Sequence, residues 1–523
     1  MIESVDLILH NGYIKTIDSN NPIVEAIVIK DGMIVDTGSS KEIIKKYSKY
    51  KKVIDLKGKF VCPGFNDTHT HILSMCVTEL DVLLDKVSSP QEALDRIKER
   101  VDKSPKGKWI IGARWDESNW SEKRYLTLKE LDEIAPDNPC YITRVCGHMS
   151  IANTLGLKEL EVPLDDPDLG KDPQTGEVLG ILNVEAKSRI SEENWEKLKK
   201  TQEEIDNTIP LVCKTAHSLG ITSATDNLPI QNVKAYMKAW KNGDLKLRLY
   251  MNIPRDSFDH YLESGIKTGF GDKILRLGGV KNFTDGSIGA RTAALNEAYF
   301  DDTSTKGVYY IDKEVFFQTI EKAVKNNWQS ANHAIGDRAI EMVLEAFERI
   351  GDNELVSKGR HRIEHAEYLT DDQLKRVNKL GLVLSMQPNF PGRWGKPGQL
   401  YEIRLGSKRY KLLNNFKTIL ASKAKVCFGS DGMPMSPLFG IWSVVTHPIE
   451  NIKISLDEAL YHYTLGAAYA SFEENIKGSI EIGKVADLVV LEENLDKIDP
   501  EKIKDVKISM TIFDGVIVYQ FDN

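Results

Sequence analysis

Two histidines spaced two residues apart, His69 and His71, close the run Val61-Cys-Pro-Gly-Phe-Asn-Asp-Thr-His-Thr-His71. The run reads as a buried strand, and side chains at i and i+2 of a strand share a face. Both imidazoles can therefore offer a ring nitrogen to one ion where the strand end opens into a cavity. The same spacing also fits a surface strand or a pair of hydrogen-bonded core histidines. Pro63-Gly64 bends the chain ahead of the strand, and Asn66, Asp67 and Thr68 are polar neighbours able to hold the imidazoles in orientation. Further metal-capable side chains recur downstream: His333, His365 and Asp431 each end a strand-like run, and Lys281 lies near the end of another. Singly, each has a structural reading, as a buried histidine with a partner or a turn aspartate before Gly432. As a set they are imidazole and carboxylate donors for a divalent cation, with zinc suited best and iron, manganese or nickel sharing the ligand types.

The elements that must position these residues alternate strand and helix. Strand-like runs fall at 220–226, 245–252, 274–283, 329–333, 361–365, 382–387 and 425–431, which with the first histidine-bearing strand makes eight. Helical patterns lie between them at 314–327, 337–350 and 370–380, the last opening with Thr370 and Gln373 spaced as a capping box. Eight such units predict an α/β chain with a (β/α)8 TIM-type barrel, in which strand C-termini converge on the face that carries active sites. Both ends of the chain are instead β-rich and punctuated by Asn-Gly and Asp-Gly, as hairpins are. This predicts a small β-sandwich domain built from 1–60 plus 476–523, around a barrel of 61–475. The excursion from 73 to 215 is too long for a barrel loop, and it predicts an inserted, lid-like subdomain.

Composition narrows the function classes. The chain of 523 residues is 41% hydrophobic and 28% charged with a net charge of -8, so it offers no broad basic surface for nucleic acid and points to a small-molecule substrate. No apolar run reaches the length of a membrane span, and the N-terminus lacks a signal-peptide pattern, which predicts a cytoplasmic protein. Six scattered cysteines without a C-x-x-C pair fit reduced core thiols.

Five motifs carry a resemblance: 63–71, Lys281-Asn-Phe-Thr-Asp-Gly-Ser-Ile-Gly-Ala-Arg-Thr292, Asn332-His-Ala-Ile-Gly-Asp337, Arg362-Ile-Glu-His365 and Gly429-Ser-Asp431. Together with 478–491, 109–116 and 147–153, they make the chain resemble the amidohydrolase superfamily over nearly its whole length. The likeness is to its Amidohydro_3 (YtcJ-like) branch, which includes N-substituted formamide deformylases. The resemblance implies that His69 and His71 bind one metal, that His333 and His365 bind a second, and that Asp431 joins from the last strand. It further implies that Lys281 bridges the two ions as its carbamate, a two-oxygen anion where an ammonium would repel a cation. The other reading of Lys281, an ammonium paired with Asp285 or Asp431, implies a mononuclear site.

On this reading the reaction is hydrolysis of a C–N bond, of amide type, by metal-activated water, with Asp431 as proton shuttle. His148 is a second catalytic candidate, donating to the developing oxyanion, and Trp115, Asp116, Arg291 and Asn389 are candidate substrate contacts. A mononuclear deaminase of a ring amine is the alternative enzyme, and a non-catalytic metal-binding regulatory protein the alternative of another class. The family also makes a homodimer plausible.

Overall fold

Two Asp-Gly pairs fold as their residue types dictate. Asp31 and Gly32 have φ of 50° and 76°, and Asp514 and Gly515 have φ of 49° and 78°. This is the left-handed pair of a two-residue hairpin turn, which matches the twist of the strands it joins. The first joins Ala26–Lys30 to Met33–Gly38, and the second joins Ile508–Phe513 to Val516–Gln520. Asn11-Gly12 behaves differently from the hairpin expected of it: Val5–His10 and Tyr13–Lys15, on either side, lie in different sheets, so the pair turns a corner. The computed structural model describes residues 4–521 apart from 48, 146–148 and 173–174.

The two ends of the chain share one sheet. Leu488–Leu491 pairs antiparallel with Phe60–Pro63, in a six-stranded sheet that also contains Tyr13–Lys15 and both strands of the C-terminal hairpin. A four-stranded sheet of N-terminal strands packs on it. Leu7, Leu9, Ile27 and Ile29 from that sheet meet Val61, Leu488, Val490 and Ile512 in one buried cluster, which makes a sandwich.

The barrel strands are β1 (Phe65–Thr70), β2 (Ile221–Asn227), β3 (Arg248–Pro254), β4 (Leu275–Phe283), β5 (Ser330–Ala334), β6 (Arg362–His365), β7 (Val383–Met386) and β8 (Lys425–Phe428). They pair in sequence order, each parallel to the next. The turn after β8 returns to β1 through Asp431 N–H, which donates to the His69 carbonyl at 2.7 Å. Helices Lys313–Lys325, Asp337–Glu348 and Asp371–Leu380 alternate with the strands, and Thr370 and Gln373 form the reciprocal cap of the last.

The chain divides into two compact units, Met1–Leu73 with Ile209–Asn523, and Ser74–Thr208. Helix Ile209–Ser218, which sequence reasoning placed with the insertion, packs on β2 through a face that buries Val212, Cys213 and Ala216. The second unit has its own six-stranded sheet, centred on Ser150–Ala152 and Cys140–Arg144. Its own core includes Trp115, Trp120, Leu131 and Ile142. Among the described residues no helix is long and apolar enough to cross a membrane.

Candidate active site

Six of the residues named from sequence stand at the C-terminal ends of barrel strands. His69 lies in β1 with His71 just beyond it, Lys281 in β4, His333 in β5, His365 at the end of β6 and Asp431 in the turn after β8. One Nε2 or carboxylate oxygen each from His69, His71 and Asp431 falls within 4.8 Å of the others. Asp431 Oδ1 stands 3.4 Å from His71 Nε2 and 3.8 Å from His69 Nε2. The rings of His333 and His365 are 4.4 Å apart, and those of His365 and His69 are 4.7 Å apart.

Each imidazole has one nitrogen engaged by an oxygen and the other left as a lone-pair donor. His69 Nδ1 meets Glu364 Oε2 at 2.5 Å, His71 Nδ1 donates to the Asn227 carbonyl at 3.0 Å, and His365 Nδ1 donates to Gln387 Oε1 at 2.6 Å. His333 is reversed: its Nε2 donates to the Gly286 carbonyl at 2.9 Å, leaving Nδ1 as the donor. A hydrogen bond to one ring nitrogen fixes the tautomer and aims the other, as second-shell partners of metal-binding histidines do.

Asp431 is aimed by the backbone. It sits at φ 51°, in the sparsely populated left-handed region that a well-tied turn can enforce. Buried Asp67 ties that turn, accepting Ser430 N–H at 2.8 Å and His69 N–H at 3.2 Å on one oxygen, with the Ser430 hydroxyl on the other. Gly429 permits the approach, since a Cβ there would come within 2.4 Å of the His69 nitrogen.

Lys281 is buried, and its Nζ has no hydrogen-bond partner. Burial pulls its pKa down to about 8, against the pull of Glu364 and Asp431 in the other direction. Burial pushes Asp431 up to about 7 although Lys281 opposes the shift. Burial, with the nearby Lys281 charge, holds His71 down at about 4 and His333 at about 3, and keeps His69 and His365 well below the ordinary range. The imidazoles are neutral, as metal ligands must be. Glu364 stays anionic: burial pushes it up, but Arg362 and Lys281 outweigh burial and hold it below the ordinary carboxylate range. Arg362 donates to both Glu364 oxygens, at 2.6 and 3.0 Å.

Asp67 was singled out from sequence as a polar neighbour of the imidazoles, whereas Glu364, Gln387, Asn227 and Gly286 were not. Only Glu364 left a signal: Arg362 and Glu364, two apart on one strand, share a face and so can pair.

The remaining sequence candidates are placed elsewhere. Arg291, expected to hold a polar group of the substrate, donates instead to both carboxylate oxygens of Asp301, at 3.1 and 2.8 Å. Asn389 is saturated, donating to the Pro434 and Ser436 carbonyls and accepting from Tyr463, so it braces the turn after β8 rather than facing a ligand. Trp115 is fully buried within the insert's core, against Trp120 and Tyr125. Asp116 caps the short turn Glu117–Asn119, accepting Ser118 N–H, and lies 3.6 Å from Arg144. His148 lies outside the described residues. Asp337, four residues beyond His333, accepts two hydrogen bonds from Asn296.

A barrel with a terminal β-sandwich and histidines at its strand ends defines a class, and comparison with known proteins agrees. The chain belongs to the amidohydrolase family, Amidohydro_3, whose pattern matches residues 52–519, and it is accordingly a hydrolase. It is 30% identical to YtcJ of Bacillus subtilis (strain 168) over 538 residues, 98% of this chain and 99% of the relative. It is 25% identical to the N-substituted formamide deformylase of Arthrobacter pascens over 550 residues, 99% of each. Among solved structures, an uncharacterized metal-dependent hydrolase from Pyrococcus furiosus superposes with a TM-score of 0.77 at 30% identity, covering 95% of this chain and all of that one.

Proposed function

We propose that this chain is a metal-dependent hydrolase of a C–N bond, of amide type, in a small molecule. The observation that carries the reading is the close group of ligand atoms from His69, His71 and Asp431, with His333 and His365 beside it and the buried Lys281 amine near them without a hydrogen-bond partner. Neutral imidazoles, one carboxylate and a lysine whose hold on its proton is weakened by burial suit a divalent cation of the zinc class. His69, His71 and Asp431 would hold one ion and His333 and His365 a second. Lys281, on addition of carbon dioxide to Nζ with loss of a proton, would give the bridging anion. Bound metal supplies Lewis acidity, which lowers the pKa of water and polarises a carbonyl.

The protein's own groups do the rest. Asp431, whose proton affinity lies close to neutrality, takes a proton from the attacking water and passes it to the leaving nitrogen. The water oxygen joins the acyl carbon, the C–N bond breaks, and a carboxylic acid and an amine leave. Asp67 and Ser430 hold Asp431 at its angle throughout. The free, buried state of the five described cysteines supports a reducing, cytoplasmic setting. The division into a small β domain of 1–60 with 476–523 and a barrel of 61–475 belongs to the same reading, with the insert expected at 73–215 ending at Thr208, before the helix that packs on β2.

The test is hydrolysis of an amide panel by metal-reconstituted protein and by Asp431→Asn. Turnover should fall by roughly 10²–10⁴-fold in the variant while most of the metal stays bound, and an unchanged rate refutes the assignment.

A further inference from the structure

Beside the ligand group lies a cavity of about 430 Å³, lined in part by His71, Lys281, Pro254, Arg255, Phe283 and Tyr310. This volume falls in the range of about 300–1,000 Å³ typical of small-ligand pockets. Leu228, Pro229 and Ile311 add apolar wall, and Asn227, Asn282 and the carboxylate of Asp256 complete the lining. Phe283 and Tyr310 keep 47% and 57% of their surface uncovered, large apolar area that a ligand would bury.

Arg255 and Lys281 are the cations among the described lining residues. Lys281 belongs to the metal group. Arg255 follows Pro254, whose Cα stands opposite Lys281 across the β3–β4 pairing, and lines the same cavity. Among the described residues its ion pair is with Asp256, through Nη2 at 3.0 Å, and Asp256 is 85% exposed. A pair that open to water is worth little and gives way to a better partner. Most of the Arg255 N–H donors remain for a ligand, in the planar fork that suits a carboxylate.

We propose that the substrate is an amide with an apolar, preferably aromatic, body that carries a carboxylate, and that Arg255 is the residue that recognises that anion. This inference rests on the amide-hydrolase reading above. The amide bond sits at the His71 and Lys281 end, the body lies along Phe283, Tyr310 and Pro254, and the carboxylate meets Arg255. Arg255 is a specificity residue and takes no part in the proton transfers.

The experiment compares matched substrates on metal-reconstituted protein: the N-formyl and N-acetyl derivatives of 4-aminobenzoate and of 4-aminophenylacetate, against those of aniline and of 4-methylaniline. The two acids place the carboxylate at two distances from the amide. The readout is the ratio of kcat/KM for anionic over neutral member. We expect a ratio of roughly ten- to a hundredfold for at least one pair, the range of a hydrogen bond to a charged group. Arg255→Gln should bring it to within about twofold of unity. Asp256→Asn, which removes the competing carboxylate, should raise it.

A ratio near one in the native protein, or a preference that Arg255→Gln leaves unchanged, overturns the inference while the hydrolase reading stands. Hydrolysis of neither member, with a broad amide panel also inert, overturns the hydrolase reading and this inference with it.

Discussion

Arg248 and Lys281 are buried cations on neighbouring strands, at opposite ends of the barrel, and their surroundings could hardly differ more. Arg248 opens β3 with a full set of acceptors: both oxygens of Asp487 at 2.6 and 2.9 Å, Asp514 at 2.9 Å and the Lys273 carbonyl at 3.0 Å. Lys281, near the end of β4, has none. An unpaired polar group in a buried site costs free energy that folding must find elsewhere, so one left in place marks a site built for something besides stability. The Arg248 end ties the barrel to the strands around Asp487 and Asp514, and the Lys281 end is left open for chemistry.

The largest effect should come from breaking the finished end. Arg248→Met leaves Asp487 buried without its cation and should destabilise the fold by about 3–5 kcal/mol, read as a lower denaturant midpoint. A midpoint within error of the native one removes the structural half of the contrast.

A somewhat smaller effect concerns Asp226, which is buried in β2 and accepts the Tyr236 hydroxyl at 2.8 Å. Burial raises its pKa to about 7. The folded chain therefore keeps a proton that the unfolded chain has lost between about pH 4 and 7, so unfolding releases a proton in that window. Its stabilising share is complete below about pH 4 and is lost as pH rises to about 7, a change of roughly 3 kcal/mol. Asp226→Asn should flatten that part of the stability–pH curve, and an unaltered slope would show that Asp226 is ionised when folded.

At the open end, Glu364→Gln keeps the shape of the acceptor to His69 but removes the charge that Arg362 sustains. Metal affinity should fall by about 10–100-fold, followed by equilibrium titration against a competing chelator. An unchanged affinity would mean that the Glu364 charge does not support His69.

The sequence carried the parts of this picture that depend on local pattern. Some of the eight strands, such as Val383–Met386, were legible as short apolar runs, and polar ones such as Ser330–Ala334 from their place between helical segments; the placing of His333, His365, Lys281 and Asp431 near strand ends followed from the same alternation. The Asp-Gly hairpins at 31–32 and 514–515 were legible because only a left-handed pair closes so tight a loop. What escaped was long-range. Glu364 reaches His69 across 295 positions, Ser430 reaches Asp67 across 363, and Gln387 reaches His365 from the next strand. Arg291 and Asn389 were misplaced as ligand contacts for the same reason, since Asp301 and the Pro434 carbonyl meet them only once the loops have folded. Residue type gave their chemistry, but pairing gave their role.

The most direct test of the open site is metal content by elemental analysis, on native protein and on Lys281→Met, each expressed with zinc or manganese supplied and purified without chelator. The account predicts about two equivalents per native chain and about one in the variant, whose lost amine removes the bridge between two ions. A native chain that holds no metal, even after reconstitution, would contradict it.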